Sequence, residues 1–185
     1  MDKVSGEALC RAWGAGAGPG KDKLTIDVDS TVVETYGQKK QGGADITYHG
    51  GRGYHPLLAT AAELGDVIHS RLRGGRANCG RGAANFVSET LLRARRAGAQ
   101  GPIVVRADSG FYARQVAETC RRHKARYSIT VRLSQRLHRA IAGIEESSWR
   151  QIPYWDGSAS VAETSYLAFP KGRGGIPVRL IVRRV

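Results

Sequence analysis

The sequence predicts an α/β fold, and three observations carry that prediction. In LTIDVD, Leu24, Ile26 and Val28 alternate with Thr25, Asp27 and Asp29, the period-two pattern of a strand with two unlike faces. From Ala83 to Arg96, Ala84, Val87, Leu91 and Ala94 recur at helical spacing. From there on, helical and strand patterns alternate, and a strand–helix–strand order favours helices packed on a sheet.

In chain order, residues 1–23 hold a short helical stretch, GEALCRAW, and then Gly14, Gly16, Gly18, Pro19 and Gly20, which read as a flexible lead-in. LTIDVD is the first strand, and STVVETYG is expected to continue it toward a turn at Gly37. KKQGGAD is a polar, glycine-rich connection; YHPLLATAA and DVIHSRLRGG then read as two strands joined around Gly65-Asp66. The helix over 83–96 stops at Gly98. IVVRAD is the next strand, ended by Ser109-Gly110, with Ser109 placed to cap a helix that buries Val116, Ala117 and Cys120. YSITVRL is a further strand and SQRLHRAIAGI a further helix. After Trp149, Pro153, Tyr154 and Trp155, the chain turns strand-rich: SVAETSYLAF and IPVRLIVRRV flank KGRGG. The sequence stops inside a strand pattern at Val185, which suggests truncation of a longer protein.

At 185 residues, with 41% hydrophobic and 24% charged residues, the chain suits one ordinary core and is not a disordered sequence. Its formal net charge is +13. Between Arg71 and Arg139 there are 16 basic and 3 acidic residues, so this stretch alone accounts for the excess. Cations at helix ends have a local reason to be there, but so many together favour a polyanionic partner, nucleic acid first. Cys10, Cys79 and Cys120 form no CxxC pair, and the histidines are not paired with them, so no zinc site is expected; Cys79 reads as a small buried hydrophobe. With no apolar leader and no membrane-length apolar run, a reduced, cytoplasmic setting away from membranes is expected.

The acids Asp29 and Asp108 are the candidates to carry the chemistry. Each ends a predicted strand, 79 positions apart, and a right-handed crossover can set those strands side by side. Two adjacent carboxylates offer the hard oxygens that Mg2+ or Mn2+ prefers and leave positions open for water and a phosphate. The plain structural alternative is that Asp29 and Asp108 satisfy turn and cap donors. Arg52, Arg106, Arg114 and Arg132 are candidate contacts for a nucleic-acid backbone. Tyr112 is a weaker candidate, and His49, Arg52, Tyr54 and His55 suggest a mobile basic-aromatic loop.

Taken together and in order, LTIDVDSTVVETYG, GYHPLLA and IVVRADSGFY resemble the catalytic domain of DDE-type transposases of bacterial insertion sequences. The resemblance covers about Leu24 to Leu133 and implies a ribonuclease H-like mixed sheet flanked by helices. It implies that Asp29 and Asp108 are two of the three acidic metal ligands, with Mg2+ or Mn2+ as cofactor. The activity implied is hydrolytic nicking at the transposon end and strand transfer by the freed 3′ hydroxyl. Double-stranded DNA would be the partner, a homodimer is possible in the longer parent, and the site would lie at the nucleoid when DNA is bound. The third acid of the family stands on a helix beyond a β-rich insertion; residues 147–185 read as the start of that insertion, after a partial core over 24–146. Glu145, Glu146 and Glu163 do not have the context of the missing acid, so this chain alone is expected to be inactive.

Two other classes compete. DVDSTV also resembles the opening motif of haloacid dehalogenase-like phosphatases, where Asp27 would be the nucleophile, Asp29 the acid/base and Thr130 a phosphate ligand. A metal-free nucleic-acid-binding module using the Arg71–Arg139 surface is the third.

Overall fold

The structure, a computed structural model, describes residues 2–36, 43–47, 50–155, 157–170 and 174–185. The chain divides into two compact units, Met1–Val131 and Arg132–Val185. Among the described residues, no helix is long and apolar enough to cross a membrane.

The first unit is organised by a five-stranded sheet. Its strands are β1 (Leu24–Ser30), β5 (Leu57–Ala61), β6 (Val67–Arg71), β7 (Ile103–Ala107) and β8 (Arg126–Ile129). They lie in the order β6-β5-β1-β7-β8. β1 is central, antiparallel to β5 and parallel to β7, while β5 and β6 form an antiparallel hairpin and β7 and β8 run parallel. An antiparallel meander followed by two parallel strands on the other side of the first is the ribonuclease H-like arrangement, and it has the expected mixed α/β character.

Two crossover helices make the parallel pairs possible. Helix α2 (Ala83–Ala97) joins β6 to β7, and α3 (Arg114–Arg122) joins β7 to β8. α2 turns Phe86, Val87, Leu91 and Ala94 into the core against Ile26, Val28 and Val105. It ends where the sequence places its stop: Gly98 sits at φ 116°, a left-handed position that costs a side chain, and donates its N–H back to the last turn. α3 buries Val116, Ala117 and Cys120, as its spacing predicts.

The segment before β1 is more ordered than a flexible lead-in. Helix α1 (Asp2–Ala12) packs on α2 and β6, Leu9 and Trp13 enter the core, and Trp13 Nε1 donates to Asp66 at 2.8 Å. Two large apolar side chains and a distant hydrogen bond outweigh the local looseness of the glycines that follow.

β1 also ends sooner than expected. STVVETYG does not extend it; Val33–Glu34 forms β2, which joins β3 (Asp45–Ile46) and β4 (Arg52–Tyr54) in a separate sheet of order β2-β4-β3. The last β1 pair is Ser30 with Leu57. Pro56 lies opposite Thr31, where it accepts the Thr31 N–H but has none to return, so the ladder stops. Gly37 and most of KKQGGAD lie outside the described residues.

β8 covers only the first part of YSITVRL because its partner β7 stops at Ala107; Thr130 N donates to Ala107 O as the last link. The second unit contains α4 (Gln135–Ala142), capped by Ser134, and a meander of β9 (Arg150–Tyr154), β10 (Gly157–Ala168) and β11 (Ile176–Arg184). This is the expected strand-rich C-terminal region.

Candidate active site

The register of β1 and β7 brings the two singled-out acids together. Their pairing runs from Leu24 with Ile103 to Val28 with Ala107 at a constant offset, so Asp29 and Asp108 occupy the next position of the same ladder. Neighbouring strands are about 4.8 Å apart. Side chains alternate, and Ile26, Val28, Val105 and Ala107 point into the core. Asp29 and Asp108 therefore share the opposite face with Asp27 and Arg106, and both are exposed.

Each acid also does local work. Asp29 Oδ1 accepts the N–H of Ser30 at 2.7 Å, and Asp108 Oδ1 accepts that of Gly110 at 2.9 Å. Asp108, not Ser109, is thus the cap, and what it caps is a single 3-10 turn, Ser109–Phe111, that buries Phe111. α3 starts later, at Arg114, after an extended Ala113 without a side-chain cap. The turn and cap roles leave the second oxygen of each carboxylate without a protein partner among the described residues.

Asp27 is differently placed. Its Oδ1 and Oδ2 accept Arg106 Nε and Nη2, each at 2.6 Å, across the β1–β7 pair. This bidentate pair occupies both oxygens. The same hydrogen bonds, aided by the Asp27 charge, raise the pKa of Arg106 above its ordinary value. Arg106 is therefore a partner of Asp27 beside the acids rather than an open cation, and Asp27 does not present the free carboxylate that a nucleophile needs.

The loop between β6 and α2, RGGRANCGRG, closes the end of the sheet, and its part in the site was missed by sequence reasoning. Arg73 is half-buried and donates from Nε to His55 O at 2.8 Å and from Nη1 to Asn78 O and Arg81 O at 2.8 and 3.0 Å. Burial, with the nearby Arg71 charge acting in the same direction and Cys79 opposing, pulls its pKa below the ordinary value. So fixed, the loop inserts Cys79 between the residues that follow the two acids. Cys79 Sγ shares a hydrogen bond with Ser30 Oγ at 3.1 Å, and a Cβ on Gly110 would meet Cys79 Cβ at 2.8 Å. Only glycine fits at 110. Cys79 packs against the core as expected but is half-buried, at the site's edge. Three arginines among four glycines was the available signal.

The remaining expectations are met unevenly. Arg114 is paired with Glu118 at 3.3 Å along α3, and Arg52 is exposed on β4. Arg132 does not end a strand; it is exposed beyond β8, in the second unit. Thr130 is exposed just after β8. Tyr112 is half-buried after the 3-10 turn. His55 is not on a mobile loop: it is 1% exposed and its Nδ1 donates to Ala77 O. His49 lies outside the described residues. In the second unit, Glu146 is held by Arg184 and Glu163 by Arg179. Among the described residues, no group of three His, Cys, Asp or Glu side chains converges as a metal site.

The donor set still fits a hard divalent cation in part: two exposed carboxylates at adjacent strand ends, each with an unengaged oxygen, and no soft or imidazole ligand in their ladder. Fold and acids together define a ribonuclease H-like domain with a strand-end carboxylate pair. The sequence matches the transposase DDE domain group 1 family over residues 11–176, and the chain belongs to that family. No curated protein matches it.

Among solved structures, the chain is similar to the Mos1 mariner paired-end complex with manganese, at 12% identity and a TM-score of 0.38, covering 76% of this chain and 47% of that one. It is similar to the Mos1 catalytic domain at 12% identity and a TM-score of 0.37, covering 76% and 67%. For the piggyBac transposase synaptic complex with hairpin DNA the values are 13% and 0.40, covering 85% and 32%. The chain thus spans less than half the length of the first and third of these proteins.

Proposed function

We propose that this chain carries part of the catalytic core of a DNA transposase, cutting phosphodiester bonds at transposon ends and joining them to target DNA. The observation that carries the reading is the β1–β7 register, which sets Asp29 and Asp108 at one end and on one face of the sheet of a family member. In this reading Asp29 and Asp108 hold Mg2+ or Mn2+ through their unengaged oxygens. When bound, the cation supplies activation of a water or hydroxyl nucleophile and stabilisation of the leaving oxygen. In hydrolysis, water adds to phosphorus and the P–O3′ bond breaks, freeing a 3′ hydroxyl. In strand transfer, that hydroxyl attacks a target phosphodiester and displaces another 3′ oxygen.

The chain's own residues orient and exclude. Ser30 and Gly110 N–H groups fix the carboxylate rotamers, Cys79 keeps the two strand ends spaced, and Arg106 holds Asp27 away from the pair. Residues 24–146 are read as the partial core and 147–185 as the start of a β-rich insertion. DNA phosphates would meet cations of the first unit, Arg52 and Arg114 among them, and Arg132 is the candidate contact on the second unit.

Mn2+ titration followed by electron paramagnetic resonance tests the pair. Wild type and Asp27→Asn are expected to bind alike, while Asp29→Asn and Asp108→Asn each weaken binding by at least about tenfold. Equal binding in all four proteins would refute the assignment. With no third carboxylate in the group among the described residues, the chain alone is expected not to nick DNA; metal-dependent nicking of its own end sequence would refute that part.

A further inference from the structure

A second charged feature lies on the first unit, away from the acids. Helices α1 and α2 enclose a groove of about 420 Å³. Among the described residues, Lys3, Arg11, Arg93 and Arg96 line it against one acid, Glu7, with Leu9 and Cys10 as its apolar part. Gly6 of α1 faces Arg93 across the groove. Among the described residues, Lys3, Glu7, Arg11 and Arg96 form no ion pair, so the acid does not neutralise the cations around it.

Local helix electrostatics explain only part of this. Arg11 and Arg96 stand in last turns, where a cation is favoured, but Lys3 stands in the first turn of α1, where the helix dipole opposes it. A concave site with uncompensated positive charge from two helices is complementary to a strand of phosphates.

Its position separates it from the candidate active site. α2 starts four residues after Cys79, which touches Ser30 and sits against Gly110, and runs away from that end of the sheet. Arg93 and Arg96 lie ten and thirteen residues beyond Ala83. At ~1.5 Å per residue this is about 15–20 Å along the helix. A phosphate in the groove is not the phosphate at the acid pair.

We infer that the α1–α2 groove is a second DNA-backbone site, holding phosphates through Lys3, Arg11 and Arg96. The choice of DNA as the polyanion rests on the proposed function; the anionic chemistry does not. The groove carries its own reporter, since Cys10 is exposed, Cys79 is half-buried and Cys120 is buried with its thiol pushed up to about 12.

The test is alkylation of Cys10 by iodoacetamide in the full chain, read by peptide mass spectrometry with and without a short random-sequence duplex. Duplex at about ten times its Kd is expected to slow Cys10 alkylation by about tenfold, and inorganic phosphate at the same phosphate concentration is not. The combined variant Lys3→Gln, Arg11→Gln, Arg96→Gln is expected to lower the log–log salt slope of duplex binding by about 2.7, at about 0.9 per phosphate contact. An unprotected Cys10 with duplex bound, equal protection by free phosphate, or an unchanged slope would each overturn the assignment. Asp29→Asn is expected to retain Cys10 protection, so failure of the acid pair and failure of the groove give different results.

Discussion

Replacing Arg73 examines how the loop over 74–82 holds the candidate site. Its guanidinium bonds three backbone carbonyls, of His55, Asn78 and Arg81, and among the described residues no acid shares it. Arg73→Lys keeps the charge, but an ammonium on a flexible stem lacks the planar fork and is expected to keep one of the three. Hydrogen bonds from a charged donor contribute ~1.5–3 kcal/mol each, and water replaces part of what is lost at a half-buried site. Two lost bonds therefore cost about 2–4 kcal/mol. In a protein of this size that is a melting-point fall on the order of 10 °C.

The local consequence is more specific than the global one. Loosening the loop withdraws Cys79 from Ser30 and Gly110, so its alkylation in native conditions should accelerate. Urea denaturation and peptide-level alkylation measure the two effects. Arg76, exposed in the same loop, is the control: Arg76→Lys should change stability by no more than ~0.5 kcal/mol. A loss below ~1 kcal/mol for Arg73→Lys with unchanged Cys79 reactivity would refute the clamp.

Two other outcomes follow from the core and its edge. Phe86 is fully buried, stacked on His69 with ring centroids 4.5 Å apart and lying under Arg71, so Phe86→Ala should cost about 3–5 kcal/mol in urea denaturation. For Glu89, burial alone would raise the pKa, but hydrogen bonds from Arg71 and His69 and their charges outweigh it and hold it below the usual 4.5. A depressed folded pKa stabilises the protein above the unfolded value, and that stability is lost as pH falls below about 4.5 through the folded value. Glu89→Gln should flatten the pH dependence of the melting temperature in that acid window and leave its form at neutral pH unchanged; an identical acid limb in the variant would count against the pairing.

Much of the fold was legible because it depends on local patterns. The alternation in LTIDVD and the helical spacing over 83–96 record which face is buried, and burial is what drives those elements together. Gly98 shows the end of α2 for an equally local reason, its left-handed backbone. The two acids at strand ends were legible in the same way, as polar residues closing apolar runs.

Other features needed the partner strand. Where β1 and β8 end is decided by Pro56 and by the end of β7, residues distant in sequence that cannot extend the ladder. Whether Asp27 or Asp29 is free depends on the pairing of Asp27 with Arg106, set by a register that no single segment contains. Composition and spacing determined an α/β chain with acids at strand ends and a large positive charge. Tertiary structure alone decided which acid is paired, which cysteine lies beside them and which cations line a groove, because each depends on residues brought together only by the crossovers.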